Sequence, residues 1–310
     1  MPGARTTPGS VGWATVESDL GGAYDLEFTP APVTPRRLRL GNRTYDLTHR
    51  ALVMGILNRT KDSFFAPAAT FDLDGFLGRA EKLVRAGADL LDVGGVKAGP
   101  GDPVSEEEEL DRVIPAITEL RRRFDTPLSV DTWRSAVAEA AFGAGAILGN
   151  DISGFADPNY LPVAALSGAS VVATHIRLAP RVADPTPIYE DVVQDVADFL
   201  LERRRRALEA GLGVDQVILD AGLDLGKTPV QSLTLLRASS RLAGEGVLLL
   251  SASNKTFLGA MFDLDVLHRR DASLAAAAMG IMGGARVVRV HDVLGTVRVR
   301  DLVATLSEAS

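Results

Sequence analysis

Polar side chains stand at the ends of eight short apolar runs in this chain. They are carboxylates, amides, hydroxyls, a lysine and an Arg-x-His pair: Asn58, Asp92, Asp131, Asn150, Asp151, His175, Asp220, Ser251, Ser253, Lys255, Arg289 and His291. Carboxylates and amides accept hydrogen bonds from the N–H groups of a polar heterocycle, and cationic side chains bind anions. If the runs converge, the set predicts a site for a heterocycle together with an anion. Each residue alone has a second interpretation, because Asp, Asn and Ser also cap helices.

The apolar runs are almost continuously hydrophobic, as strands buried on both faces are. They occupy 51–58, 88–95, 127–131, 146–151, 169–175, 216–220, 246–251 and 286–291. Amphipathic stretches separate them, and one begins with Ser105 and a run of glutamates, which is typical of a helix N-terminus. Eight strand–helix units predict an α/β fold, a TIM (β/α)8 barrel, with its chemistry at the carboxyl ends of the strands. A doubly wound open sheet is the structural alternative.

Two features are predicted before the first run. The stretch RRLRLGNRTYDLT, with Gly41-Asn42 at its centre, is typical of an N-terminal hairpin, which we expect to close the bottom of the barrel. Residues 1–35 are rich in Gly, Pro, Thr and Ala, which predicts a flexible tail. We therefore expect a single barrel domain over residues 36–310.

Composition excludes several classes of function. The chain of 310 residues has no cysteine, so it has no disulfide, no thiolate nucleophile and no Cys-based zinc site. A net charge of −7 argues against nucleic-acid binding, which needs a basic face. No segment is apolar for long enough to span a bilayer, and the N-terminus lacks the apolar core of a signal peptide. These features predict a cytoplasmic protein.

Several motifs resemble one enzyme family. GILNRTKDSFF, SVDTWRSAVAEAAFGAGA, NDISG, LDAGLDLGK, SASNKTFLG and RVHDV are similar, in order and spacing, to motifs of the dihydropteroate synthases, which are pterin-binding barrels. The resemblance runs from about Leu38 to the C-terminus. It implies a transferase of folate biosynthesis that condenses 6-hydroxymethyl-7,8-dihydropterin pyrophosphate with p-aminobenzoate. It also implies magnesium as the cofactor and pyrophosphate as the leaving group.

The resemblance assigns a role to individual residues. It gives catalytic roles to Lys255, Arg289 and His291, substrate binding to Asp131, Asn150, Asp220, Ser253 and Phe64, and the metal to Asn58. Arg289 and His291 alternate on one strand and so point the same way, which suits a clamp on the pyrophosphate. A single oxygen ligand suits magnesium, which keeps most of its waters. For Asp131, capping of the following helix remains the alternative interpretation.

One loop departs from the family pattern. Gly94 to Gly101 read GGVKAGPG where the family has Gly-Gly-Glu-Ser-Thr-Arg-Pro-Gly, so Gly99 stands in place of an arginine that meets the pyrophosphate. Loss of one charge-assisted contact costs about 1.5–3 kcal/mol, or about ten- to hundredfold in rate. Further departures on the loops are Arg59, Lys61, Ala221, Asp224, Leu225 and Asn254. The chain thus resembles a divergent second paralogue with an altered substrate-closing loop.

Three functions compete at this point. The first is dihydropteroate synthesis with weakened turnover, and the second is pterin binding without that activity. The third is a methyl-tetrahydrofolate-dependent methyltransferase, which needs no pyrophosphate clamp, so Arg289 and His291 favour the first two. Members of the family pair through their last helices, and MFDLDVLHRRDASLAAAAMGIMGG carries an alanine-rich face, so we expect a homodimer.

Overall fold

The structure is a computed structural model that describes residues 30–59, 73–99 and 101–308. Most of the predicted tail lies outside these ranges, as do Lys61 and Phe64 of the first loop. The placement predicted for Phe64 beside the second substrate therefore stays a prediction.

Eight parallel strands close into one barrel in chain order, with the last strand pairing with the first. They are β3 (Leu52–Asn58), β4 (Leu90–Gly94), β5 (Leu128–Asp131), β6 (Leu148–Asp151), β7 (Ser170–Thr174), β8 (Val217–Asp220), β9 (Val247–Leu250) and β10 (Ala285–Val290). Every strand lies inside or within one residue of its predicted run. The TIM barrel is thus confirmed, and the open sheet is excluded because β10 pairs with β3.

Helices follow the strands on the outside of the barrel. They are α1 (Leu73–Arg85), α2 (Glu106–Arg123), α3 (Ser135–Gly143), α4 (Tyr160–Ser167), α5 (Val192–Glu209), α6 (Pro229–Arg237), α7 (Ser239–Gly244), α8 (Thr256–Phe262), α9 (Arg270–Met282) and α10 (Val293–Glu308). The predicted start of α2 is confirmed, because the Ser105 hydroxyl accepts a hydrogen bond from the Glu108 amide at 3.1 Å. Within the described ranges, none of the helices combines the length and apolar character that a bilayer crossing requires.

An antiparallel hairpin precedes the barrel, as predicted. Its strands β1 (Arg37–Leu40) and β2 (Arg43–Asp46) join at Gly41, whose φ of 59° lies in the left-handed region that glycine adopts without strain. Leu38 and Leu40 are fully buried in one cluster with interior residues of the barrel strands. The hairpin therefore closes the end of the barrel at which the strands begin.

The interior of the barrel changes from apolar to polar along the strand direction. Its lower layer is apolar and includes Leu90, Leu148, Ile218 and Val287. Two residues further along the same strands stand Asp92, Asn150, Asp220 and Arg289. Because side chains alternate between faces with period two, these polar groups point into the same interior. The fold thus places a polar layer on an apolar floor, at the carboxyl ends of the strands.

A buried ion pair ties the last helix to the first barrel strands. Arg300 of α10 is 2% exposed and donates to Asp89 Oδ2 at 2.6 Å. The same oxygen accepts a hydrogen bond from the Val53 amide of β3 at 2.8 Å. Asp89 directly precedes β4, so one carboxylate fixes α10, β3 and the start of β4 where the barrel closes.

The alanine-rich face of α9 is covered by this chain's own barrel. Ala276, Ala277 and Gly280 are buried, and a Cβ added at Gly280 would lie 2.2 Å from Leu250 Cδ2 of β9. The small side chains therefore allow α9 to approach the strands closely. This face is not available to a second subunit, contrary to the use expected for it.

We predict that Asp89→Ala lowers the free energy of unfolding by about 2 kcal/mol, because it leaves Arg300 buried with one fewer charged partner. Urea denaturation measures the change. The control is Glu202→Ala, which removes an exposed partner of Arg205 and should cost less than about 1 kcal/mol. Equal losses in the two variants would contradict a special role for Asp89.

Candidate active site

A buried network of charges lies at the centre of the polar layer. Arg289 of β10 donates through Nε to Asp92 Oδ2 at 2.6 Å and through a terminal nitrogen to Asp131 Oδ2 at 2.7 Å. The Asn150 side-chain amide donates to the same oxygen of Asp92 at 3.1 Å. Four strands, β4, β5, β6 and β10, thus meet in one hydrogen-bonded set.

Asp92 orients its neighbours. Its carboxylate is fully buried and accepts from both Arg289 and Asn150. Since the amide nitrogen of Asn150 is engaged by Asp92, its carbonyl oxygen remains as the acceptor for a ligand N–H. From the sequence, Asp92 was expected at a strand end, without an assigned role. Its spacing of two residues from the apolar Leu90 was the feature of the sequence that could have placed its side chain in the barrel interior.

Asp131 does not cap the helix that follows it. Helix α3 begins at Ser135, and the amide of that residue donates to Asp157 Oδ2 at 2.9 Å. Asp131 instead turns into the barrel towards Arg289. By contrast, Asp151 accepts hydrogen bonds from the amides of Ser153 and Phe155 and so shapes the loop after β6. Of these two strand-end carboxylates, only Asp131 faces the interior of the barrel.

The pKa of Asp131 is raised to about 7, mainly by burial. Arg289 lowers it, whereas the negative charges of Asp92, Glu109 and Asp151 raise it further. One guanidinium therefore serves more than one carboxylate, and the cluster has an excess of acid. Its protonation consequently changes near neutral pH.

Asp220 is held by a turn that only glycine can complete. Its Oδ1 accepts from the Gly222 amide at 2.8 Å, and burial raises the pKa of its carboxyl group. Gly222 has a φ of 64°, and a Cβ there would lie 2.0 Å from the carbonyl oxygen of His175. The turn after β8 thus packs directly on the end of β7, which fixes the Asp220 carboxylate.

A buried lysine supports the same turn. Lys227 donates to the carbonyl oxygens of Gly222 at 2.9 Å and Leu225 at 3.0 Å, and its Nζ lies 2.9 Å from His175 Nδ1. Burial lowers the pKa of Lys227 to about 7 and that of His175 to about 3. His175 is therefore a neutral acceptor beneath the turn. The motif LDAGLDLGK thus contributes a structural lysine to which no role was assigned from the sequence.

Lys255 stands on the rim at the start of α8. Burial lowers the pKa of its ammonium group, while the carboxylates of Asp224 and Asp220 oppose that shift. Asp224 accepts from the hydroxyl of Thr256 at 2.6 Å and from the Phe257 amide at 3.2 Å. The turn after β8 is thereby tied to the residue that follows Lys255, so Asp220 and Lys255 share one support.

Ser253 and His291 form a hydrogen-bonded pair at the ends of β9 and β10. The Ser253 hydroxyl accepts from the His291 backbone amide at 3.2 Å and lies 3.1 Å from Nδ1 of its ring. Burial and the charge of Arg289 lower the pKa of His291 to about 4. The imidazole is neutral at pH 7, and in the tautomer in which Nδ1 accepts from the hydroxyl, Nε2 carries the proton.

Asn58 ends β3, on the other side of Gly94 from Asp131. A Cβ added at Gly94 would lie 3.4 Å from Asn58 Oδ1 and 3.5 Å from Asp131 Oδ2, so the glycine makes room for both side chains. In the ranges that the structure describes, no three acidic or histidine side chains group closely enough to hold a metal ion by themselves. An oxygen donor is thus present at the predicted metal position, without a complete protein cage.

The structure brings most of the predicted site residues to one mouth. Arg289 bonds Asp131 directly and is joined to Asn150 through Asp92. Asp220 and Lys255 act electrostatically on one another and on Arg289. Such a mouth, with acids, an amide and cations on an apolar floor, defines a barrel that binds a small polar ligand.

The sequence matches the family described as pterin binding enzyme over residues 54–291, and the chain belongs to that family. It is 40% identical over 264 residues to a Mycobacterium tuberculosis protein named inactive dihydropteroate synthase 2, covering 83% of each chain. It is 37% identical over 262 residues to the dihydropteroate synthase of Haemophilus influenzae, covering 84% of this chain and 95% of that one.

A solved structure of dihydropteroate synthase from Burkholderia cenocepacia, complexed with 7,8-dihydropteroate, has the same fold. The TM-score is 0.79 at 38% identity, with 89% of this chain and 98% of that chain covered. The resemblance to this family, including its divergent second paralogue, is thus confirmed.

We predict that Asp92→Asn lowers the pKa of Asp131 below about 7. The variant removes a neighbouring negative charge and leaves Arg289 to Asp131, and both changes stabilise the ionised carboxylate. The carboxyl ¹³C chemical shift of Asp131, followed as a function of pH, measures the change. Asp157→Asn, on the outside of the barrel, serves as the control. An unchanged or raised pKa in Asp92→Asn would contradict the proposed network.

Proposed function

We propose that this protein is a dihydropteroate synthase-type transferase of folate biosynthesis. Its substrates are 6-hydroxymethyl-7,8-dihydropterin pyrophosphate and p-aminobenzoate. The observation that carries the proposal is the convergence of Asp131, Asn150 and Asp220 with Lys255 and Arg289 at one barrel mouth, in a chain of the pterin-binding family.

The polar layer complements a pterin ring. A pterin edge presents adjacent N–H donors beside a carbonyl group, and carboxylates with an amide oxygen accept from such donors. Asp131, Asn150 and Asp220 supply these acceptors from three different strands. Lys255, on the rim, is placed to donate to the ring carbonyl. The apolar floor beneath Asp92 and Asn150 limits how deeply the ring can enter.

The proposed reaction has two steps: the pterin pyrophosphate ionises, and the amine of p-aminobenzoate then captures the cationic methylene. The bond between the pterin methylene and the pyrophosphate oxygen breaks, the bonding electrons leave with pyrophosphate, and the amine of p-aminobenzoate forms the new C–N bond and then loses a proton. Carboxylates beside the ring favour the positive charge that develops on the methylene. Arg289 and the Nε2–H of His291 are the donors at the end of β10 for the departing anion.

Magnesium fits as a cofactor held in part by the substrate. Asn58 supplies an oxygen at the mouth, and magnesium is commonly bound through one or two protein oxygens, substrate phosphates and water. The bound ion would neutralise charge on the leaving pyrophosphate.

A second candidate function is pterin binding without turnover. It is favoured by Gly99, which has no side chain for the anion, and by the engagement of Arg289 with two carboxylates. Binding of pyrophosphate at Arg289 would have to compete with Asp92 and Asp131. The similarity to a mycobacterial relative named as inactive supports the same candidate.

Complementation distinguishes the two functions. The gene is expressed in a bacterial strain that lacks its own dihydropteroate synthase, and the purified protein is titrated calorimetrically with hydroxymethyl-dihydropterin pyrophosphate. Growth together with binding supports the transferase. Binding without growth supports the second candidate, and absence of binding rejects both.

We predict that Asp220→Ala weakens pterin binding by about ten- to hundredfold, because a buried charged acceptor is lost. Calorimetric titration with the pterin pyrophosphate measures the affinity. Asp215→Ala removes a partner of Arg39 near the opposite end of the barrel and is the matched control, with an unchanged affinity expected. A similar loss in both variants would place the ligand elsewhere.

We predict that pterin affinity increases between about pH 6 and pH 8. Burial raises the pKa of Asp131 to about 7, so the carboxylate that accepts ligand N–H groups is mostly protonated at the lower pH and ionised at the higher pH. Fluorescence titration across this range gives the profile. In Asp131→Asn the profile should be flat, and persistence of the slope would assign it to another group.

We further propose that the protein works as a cytoplasmic homodimer. The exposed leucines of α10, Leu294, Leu302 and Leu306, are spaced by multiples of four residues and so lie on one side of the helix, which also carries Arg298. Light scattering after gel filtration tests the state, and Leu302→Asp should yield a monomer if this face pairs.

A further inference from the structure

Two loops meet over the mouth of the barrel. The loop after β4 covers residues 95–105, and the loop after β7 covers residues 175–191. In the closed order of strands, β4 and β7 are separated by β5 and β6, so they lie on widely separated sides of the barrel. A contact between their loops therefore crosses the opening.

Arg181 makes that contact. Its guanidinium donates to the carbonyl oxygen of Lys97 at 3.2 Å and to that of Asp102. The two acceptors are five residues apart, so one side chain holds both ends of the tip of the β4 loop. A Cβ added at Gly101 would lie 3.2 Å from the Arg181 guanidinium, so the glycine allows it to approach the loop backbone.

The β4 loop is anchored at its two ends, where the carbonyl oxygens of Gly95 and Val104 accept hydrogen bonds from Arg112 and Arg134. Val96 at its base is buried, but Ala98, Gly99 and Gly101 have no polar side chain. The backbone of Arg181 has a φ of 67°, in the left-handed region that non-glycine residues rarely adopt. Its side chain supplies the hydrogen-bond donors from the β7 loop to the tip of the β4 loop.

Arg181 places a cationic group against the β4 loop. Within the described ranges no carboxylate pairs with this guanidinium, whereas Arg177 of the same loop is paired with Asp184 at 2.7 Å. Arg181 and Gly99 line one cavity of about 140 Å³ together with Leu225 and Lys227 of the turn after β8. Its positive charge thus lies beside the loop that borders the pterin site.

We propose that Arg181 is a positioning residue that holds the β4 loop across the mouth and supplies positive charge to a loop that has no side chain at Gly99. The inference rests on the proposed function for its effect on the substrate, because an anionic pterin ester would gain from this charge. Its effect on the loop itself is independent of any substrate.

Hydrogen–deuterium exchange on the free protein tests the positioning role. Arg181→Met keeps the bulk of the side chain but removes its donors and charge, and exchange of a peptide covering the β4 loop should accelerate at least about tenfold. Arg177→Met is the matched control from the same loop and should leave that peptide unchanged. Arg181→Lys has a single ammonium group in place of the planar guanidinium, so it should give an intermediate exchange rate. Equal exchange in Arg181→Met and the parent protein would overturn the proposal.

Ligand binding tests the charge. Arg181→Met should weaken binding of hydroxymethyl-dihydropterin pyrophosphate about tenfold while leaving hydroxymethylpterin itself unchanged. Adding Gly99→Arg to this variant should restore pyrophosphate affinity without slowing loop exchange, since a Cβ at Gly99 meets no atom within 4 Å. Equal losses for both ligands would overturn the role of charge. If the parent protein binds neither ligand, the proposed function fails, and the exchange data alone decide the positioning role.

Discussion

A single guanidinium holds together the centre of this barrel. Arg289 reaches the carboxylates of β4 and β5 at once, and without it Asp92 and Asp131 would be buried as uncompensated neighbouring charges. The arrangement also fixes Asn150, whose side-chain amide donates a hydrogen bond to Asp92. The polar layer is therefore one coupled unit, and the state of each member depends on the others.

The same coupling sets the electrostatic character of the mouth. Acids outnumber the cation that they surround, so part of the negative charge is available to a ligand with N–H groups. Little positive charge is available to an anion at the end of β10, because Arg289 is already shared between two carboxylates and His291 is neutral. The protein thus has a well-formed place for a heterocycle and a less complete one for a leaving anion.

The strands were predictable because each is a short, unbroken apolar run, and eight such runs separated by amphipathic segments leave few topologies. The hairpin followed in the same way from Gly41-Asn42. The bonding within the mouth was not predictable. Nothing in the local sequence distinguishes Asp131, which faces the interior, from Asp151, which binds its own loop. Which role each carboxylate takes depends on strand register and on the position of Arg289, both of which are tertiary properties.

Long-range contacts between loops could not be predicted from the sequence for a related reason. Arg181 lies in a polar stretch without periodicity, and its partners are backbone carbonyls, which every residue has. The alanine-rich face of α9 was assigned to the wrong neighbour, because small residues indicate close packing but do not identify the element that packs against them. In this chain they allow α9 to approach β9 of the same barrel.

The hairpin at the lower end gives the barrel a property of its own. Leu38 and Leu40 extend the apolar core that fills the lower half of the barrel, so ligands can reach the polar layer only from the mouth. Two molecules that occupy the mouth one above the other must enter in sequence, the deeper one first, and must depart in the reverse sequence. The packed interior of the barrel thus imposes an order of binding on ligands at its opposite end.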